Sequence, residues 1–239
     1  MKEYLQTTDA VLDKVGSSGT GLTGAEAAAR LEKNGKNKLA EGKRESVILR
    51  FLKQLIEPMT IILLVAAAIS AVLAVYEGSF PSDVVIIMAV VVINAVLGVV
   101  QESKAEEAIA ALQEMSAATS KLLRDGKQVS VHSEDLVVGD VIILEAGDAV
   151  PADARLLECA SMKVEEAALT GESVPVVKTA ESLSAGESGD VPLGDRINMV
   201  FMGSTVVYGR GKAVITATGM GTEMGKIASA LSQAEEGKT

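Results

Sequence analysis

The sequence predicts a hairpin of two membrane-spanning α-helices, extended by a helical stalk and joined to a mainly-β domain on the cytoplasmic side. Three observations predict it. Two apolar runs, 59–76 and 84–100, carry no Asp, Glu, Lys, Arg or His. Helical spacing continues past the second run to residue 115 without Gly or Pro. Beyond it the chain turns to short apolar stretches punctuated by Asp-Gly, Gly-Asp and Pro, the pattern of antiparallel strands.

Residues 1–45 are polar. Thr23 with Glu26 has capping-box spacing and opens a helix over 25–33, which Gly35 ends. The basic residues Lys36, Lys38, Lys43 and Arg44 lead into 46–57, where Val47, Ile48, Phe51, Leu52, Leu55 and Ile56 recur at helical spacing around Arg50 and Lys53. That pattern suits a helix lying on a membrane surface. The two apolar runs are near the shortest length that crosses a bilayer core, and flanking residues extend them to about 58–77 and 83–101. Asn94 and Gly98 read as helix-contact residues. Ala105, Ala108, Ile109 and Leu112 then make the stripe of a stalk. Asp125-Gly126 marks a hairpin between 122–124 and 128–132, and 137–145, 154–158 and 212–218 are further strand candidates. The Ser/Gly/Glu/Asp-rich stretch 180–195 reads as a surface loop, and helical spacing returns over 222–234. The expected organisation is an N-terminal helical segment (1–45) packing on the β domain, a membrane part with stalk (46–116), and the β domain (117–239).

Basic residues flank the two runs on their outer sides, whereas 77–83 has none. Both long ends are therefore expected in the cytoplasm and the short link outside. Without an ionisable residue in either run, the hairpin alone is no transport pathway. Net charge of −10 and no dense Lys/Arg cluster exclude a nucleic-acid partner. The lone Cys159 excludes an internal disulfide and reads as a small buried hydrophobe. The lone His132 leaves little room for a Ser-His-Asp triad and falls on the polar side of a strand.

Several motif matches fail on inspection. Gly237-Lys238-Thr239 lacks the earlier glycine and the strand of a P-loop, and 219–225 is one residue too long for a dinucleotide fingerprint. Asp140, Asp148 and Asp153 read as turn acids rather than a metal site. The stretch Leu169-Thr170-Gly171-Glu172-Ser173-Val174-Pro175 is different. Thr and Gly permit a tight turn, Pro175 stiffens its exit, and Glu172 is pushed outward. An exposed carboxylate there can position and deprotonate a water that attacks an acyl or phosphoryl group. It can equally be a surface turn acid, which is the commoner case.

That stretch, with Gly147-Asp148-Ala149-Val150-Pro151-Ala152-Asp153 before it, closely resembles the actuator domain of P-type ATPases. The similarity extends along nearly the whole chain: 22–37 resembles the N-terminal segment of the type II cation pumps, 94–112 their second helix and stalk, and 218–227 the end of the actuator. The resemblance implies a distorted, jelly-roll-like β-roll with short helices. It gives Glu172 the task of positioning the water that hydrolyses an aspartyl phosphate, with Thr170, Gly171 and Ser173 shaping the loop. Val138-Gly139-Asp140 stands where that family usually has Pro-Gly-Asp. The family's Asp-Lys-Thr-Gly has no counterpart, since Asp13-Lys14-Val15-Gly16 differs at its third residue.

The resemblance implies the front portion of an ATP-driven cation pump, calcium first among the candidate ions, in a bacterial plasma membrane. ATP and Mg would serve the complete pump, with no cofactor or metal on this chain. Its partners would be the lipid bilayer, the phosphorylation domain and the remaining helices, and alone it would be inactive. The alternative is a non-catalytic, membrane-anchored module that docks on a partner protein.

Overall fold

The computed structural model describes residues 2–39, 46–78, 80–115, 118–185 and 190–236, with the backbone alone at 108–115 and 233–236. Lys43, Arg44, the stalk side chains Ala108, Ile109 and Leu112, and the 237–239 match lie outside the described residues. The chain divides into two units, Met1–Ala40 with Ala117–Thr239, and Glu41–Ser116.

In the first unit, α1 (Thr8–Val15) is capped by the Thr7 hydroxyl and closed by Gly16 in the left-handed region. The helix α2 (Gly24–Asn34) starts with the full Thr23/Glu26 capping box and ends at Gly35. The sheet is built from β1 (Thr119–Arg124), β2 (Lys127–His132), β3 (Val141–Glu145), β4 (Asp153–Glu165), β5 (Val176–Val177), β6 (Met199–Val200) and β7 (Thr205–Ala217). These seven strands form one sheet in the order β2-β1-β3-β7-β4-β5, with β6 also paired to β4. Every strand pairing is antiparallel. The domain is thus mainly β with short helices. Asp125 (φ 52°) and Gly126 (φ 71°) make the β1–β2 turn, which closes on the pair Arg124 and Lys127.

Two strands run longer than the sequence suggests. The candidate at 212–218 belongs to β7, which starts earlier and passes through Gly209 and Gly211, and the candidate at 154–158 belongs to the 13-residue β4 paired with it. Four register shifts interrupt that ribbon, and such bulges bend and twist a strand pair. At one of them Gly209 (φ +77°) lies against the carbonyls of Ala160 and Ser161.

Both faces of the central strands are covered. Ile142, Leu156, Ala213 and Ile215 face the main core with Leu122, Met162, Val164 and Val206. Their neighbours Val141 and Val214 face the other way and bury Val11 of α1, with Leu12, Val15, Leu123 and Leu157 around it. Period-2 alternation thus serves two apolar layers. The N-terminal segment is fastened by polar contacts as well. Arg30 donates to the carbonyls of Val15, Gly16 and Val138. Buried Asn37 donates to Ser133 and Pro151 and accepts from the Gly219 amide. The turn at Val138-Gly139-Asp140 is held by the Asp140 side chain, which pairs with Arg124 at 2.8 Å and accepts from the Val137 amide. The last helix, α7, spans Glu223–Glu236.

The stretch 180–195 is only in part a surface loop. Buried Val191 joins Tyr4, Met199 and Phe201 in a small core, and the Leu183 amide donates to the Tyr4 carbonyl. The guanidinium of Arg155, fully buried, donates to the carbonyls of Gln6, Leu156, Ala180, Glu181 and Asn198. Burial pulls its pKa down to about 10, which leaves it charged at neutral pH.

Among its described residues the second unit has three helices. One is α3 (Val47–Leu55), capped by the Ser46 hydroxyl; α4 (Pro58–Glu77) and α5 (Ser82–Met115) follow. The last two contain windows long and apolar enough to cross a membrane, only 11% buried in each case. A core helix would be mostly covered, so this is a hairpin with its apolar surface outward. Its buried residues are Ala67 and Ala74 of α4 and Val91, Ala95 and Val99 of α5. Gly98 lies against the Gln54 side chain of α3, and Asn94 is exposed on α5. Arg50 also departs from a simple surface helix. It turns inward and pairs with Glu106 at 2.8 Å.

Candidate functional site

The site is the turn between β4 and β5. Leaving β4, the chain makes a single helical turn, α6 (Ala167–Thr170), which Gly171 ends in the left-handed region at φ 76° and ψ 0°. A lone turn of helix is unstable by itself. Here it is held from below and from within. Leu169 packs on the small core of Tyr4, Val191, Met199 and Phe201. The Glu166 carbonyl accepts from the amides of Leu169 (2.9 Å) and Thr170 (3.0 Å) and from the Thr170 hydroxyl (3.1 Å). The Gly171 amide donates to the Ala167 carbonyl at 2.9 Å.

Thr170 is the hinge pin of this turn. Its hydroxyl oxygen also accepts from the Glu172 amide at 3.3 Å, so one side chain fixes the main chain on both sides of Gly171. Glu172 stands exposed at the apex, and its carboxylate has no partner among the described residues. Ser173, Val174 and Pro175 follow, also exposed. The structure therefore brings Thr170, Gly171, Glu172 and Ser173 into one turn. The arrangement offers an unengaged carboxylate on a fixed main chain, suited to a group that approaches from outside.

Beneath the turn lies a feature that sequence reasoning missed. Lys178 and Glu166 form an ion pair at 2.5 Å with side-chain exposures of 0% and 1%. Neither charged group has another hydrogen-bond partner among the described residues. The Lys178 ammonium also sits 5.9 Å from the centre of the Phe201 ring. Burial pushes the Glu166 carboxyl up and the Lys178 ammonium down, and each is pulled back by the charge of the other. A signal existed in the alternation. Met162 and Val164 of β4 and Glu166 just after it are buried, while Lys163 and Glu165 are exposed.

The three turn acids have separate structural tasks. Asp148 accepts from the Glu145 amide. Asp153 accepts from the amides of Met202 and Glu223, and burial raises its pKa. Asp140 serves Arg124 and Val137. No group of three or more His, Cys, Asp or Glu suited to a metal ion occurs among the described residues. Cys159 is half-buried against the main core, its thiol donating to the Lys178 carbonyl at 3.4 Å. His132 is exposed at the end of β2.

Comparison with known proteins gives two family matches. Residues 114–232 match the P-type ATPase actuator domain, and residues 3–70 match the cation transporter/ATPase N-terminus. A calcium-transporting ATPase of Listeria monocytogenes is 43% identical over 239 residues, which is 100% of this chain and 26% of that protein. Calcium-transporting ATPase 1 of Lactococcus lactis is 44% identical over the same length and shares. The cation-transporting ATPase pma1 of Synechocystis is 40% identical over 223 residues, 93% of this chain and 24% of its own. The chain thus spans about a quarter of the length of these curated relatives.

Proposed function

Because the chain belongs to the P-type ATPases, we propose that it supplies the actuator and first helix pair of an ATP-driven cation pump, with calcium as the transported ion. The observation that carries the proposal is Glu172, an unpartnered carboxylate at the apex of a turn whose main chain is fixed on both sides by Thr170.

An aspartyl phosphate formed during transport must be hydrolysed for the pump to turn over. In our reading Glu172 accepts a proton from a water as its oxygen attacks phosphorus. The bond from phosphorus to the acyl oxygen breaks, releasing the aspartate carboxylate and inorganic phosphate. Thr170, Gly171 and Ser173 give the turn the shape that brings Glu172 to that water. ATP and Mg are bound by other parts of the pump, and no step assigned to this chain runs through a metal. The exposed apolar surfaces of α4 and α5 face lipid, with both long ends of the chain in the cytoplasm of a bacterium. The calcium assignment draws on the Listeria and Lactococcus relatives, whose names state that ion.

The test is a chimaera in which this chain replaces the matching quarter of the Listeria ATPase. The unmodified chimaera should form phosphoenzyme from ATP and turn it over with calcium transport. Glu172→Gln should reach the same phosphoenzyme level and lose it more slowly, on the order of a hundredfold. Unchanged decay in that variant would refute the role given to Glu172.

A further inference from the structure

We propose that the buried Lys178–Glu166 pair is a positioning device for the Glu172 turn, holding it in shape rather than adding to the stability of the sheet. The inference rests on the role proposed for Glu172 above. Four steps make a continuous path. The Lys178 main chain is fixed to β4, its amide donating to the Met162 carbonyl at 2.9 Å and its carbonyl accepting from the Cys159 thiol at 3.4 Å. Its ammonium meets the Glu166 carboxylate at 2.5 Å. The Glu166 carbonyl takes three hydrogen bonds from Leu169 and Thr170. The Thr170 hydroxyl then accepts the amide of Glu172 itself.

Burial explains why a charge pair occupies this place. Two fully buried ions gain little net stability over a well-packed apolar pair, because desolvation cancels most of their attraction. What they impose is geometry. A carboxylate with one available counter-charge must place its backbone where that charge can be reached. Glu166 is the buried residue that directly follows β4, and Lys178 is the buried residue that directly follows β5. The pair therefore clamps the two ends of the turn across its base. An apolar pair would fill the same volume and leave the turn free to slide.

The decisive variant removes the clamp without leaving an orphan charge. In the full chain, held in detergent, Glu166→Gln with Lys178→Met should leave the amides of β3 and β7 as protected from hydrogen exchange as in the wild type. The amides of Leu169, Thr170 and Gly171 should exchange about tenfold faster. Lys178→Arg keeps the charge and should keep the turn protected. In the Listeria chimaera the double variant should form phosphoenzyme to the wild-type level and lose it about tenfold more slowly. Wild-type protection of the turn in the double variant would overturn the inference, as would loss of protection throughout the sheet. The Glu172→Gln arm separates the two claims. If that variant slows decay and the double variant does not, only the clamp is refuted; if Glu172→Gln has no effect, the role of the turn is refuted first.

Discussion

Gly171 has φ +76°, and open space lies where a Cβ would stand. The cost of a side chain there is therefore conformational alone. Gly171→Ala should cost about 1 kcal/mol and Gly171→Asn less, because Asn tolerates the left-handed region. A thermal melt should register the alanine change as a shift of about 2–4 °C. A much larger loss would mean that the turn is packed more tightly than its geometry allows. Legibility differs sharply among the residues of this site. Glu172 could be singled out from sequence because a Thr-Gly pair before it and Pro175 after it spell an exposed turn. Glu166 and Lys178 could not be weighed the same way, since a buried ion pair needs two strands to be aligned before either charge has a reason to turn inward. Arg155 is harder still. Its five acceptors are main-chain carbonyls, four of them from distant parts of the chain, and a carbonyl leaves no trace in the residue alphabet.

At the level of elements, a signal is legible in the sequence where it is self-contained. The Thr23/Glu26 box, the Asp125-Gly126 turn and the two apolar helices each carry their own explanation within a few residues. The missed helix α1 does not. Its eight residues are too few to be stable alone, and only Val141 and Val214, far along the chain, give Val11 a place to be buried. The long β4–β7 ribbon was cut short for a related reason. Gly209 looks like a strand breaker, whereas it is the residue that lets two strands stay paired through a bulge. A Cβ at this position would stand 2.4 Å from the Ala160 carbonyl oxygen and 2.5 Å from that of Ser161. Gly209→Ala should therefore cost about 3 kcal/mol or more, well above the figure for Gly171→Ala, because strain adds to overlap. Comparing the two alanine variants by thermal unfolding tests this directly, and equal losses would contradict the bulge geometry.

For the whole molecule, the division into two units follows from where apolar surface is hidden. Among the described residues the four buried clusters draw on the first unit only. A chain in which 41–116 is replaced by a flexible Gly/Ser linker should then fold without detergent, with β-rich circular dichroism and one cooperative transition. Removing residues 2–39 from that shortened chain should uncover Val141 and Val214 and produce aggregates; a soluble, cooperative product would show that α1 is dispensable. The packing of Val11 on those two strands carries a further consequence, one of parity. The segment that precedes the hairpin and the domain that follows it share one dry core, and no such core can straddle a bilayer. The polypeptide must return to the leaflet it left, so α4 and α5 cross together or neither crosses. In synthesis α4 and α5 both leave the ribosome before the strands do, so the first helix waits for its burial until the whole hairpin has emerged.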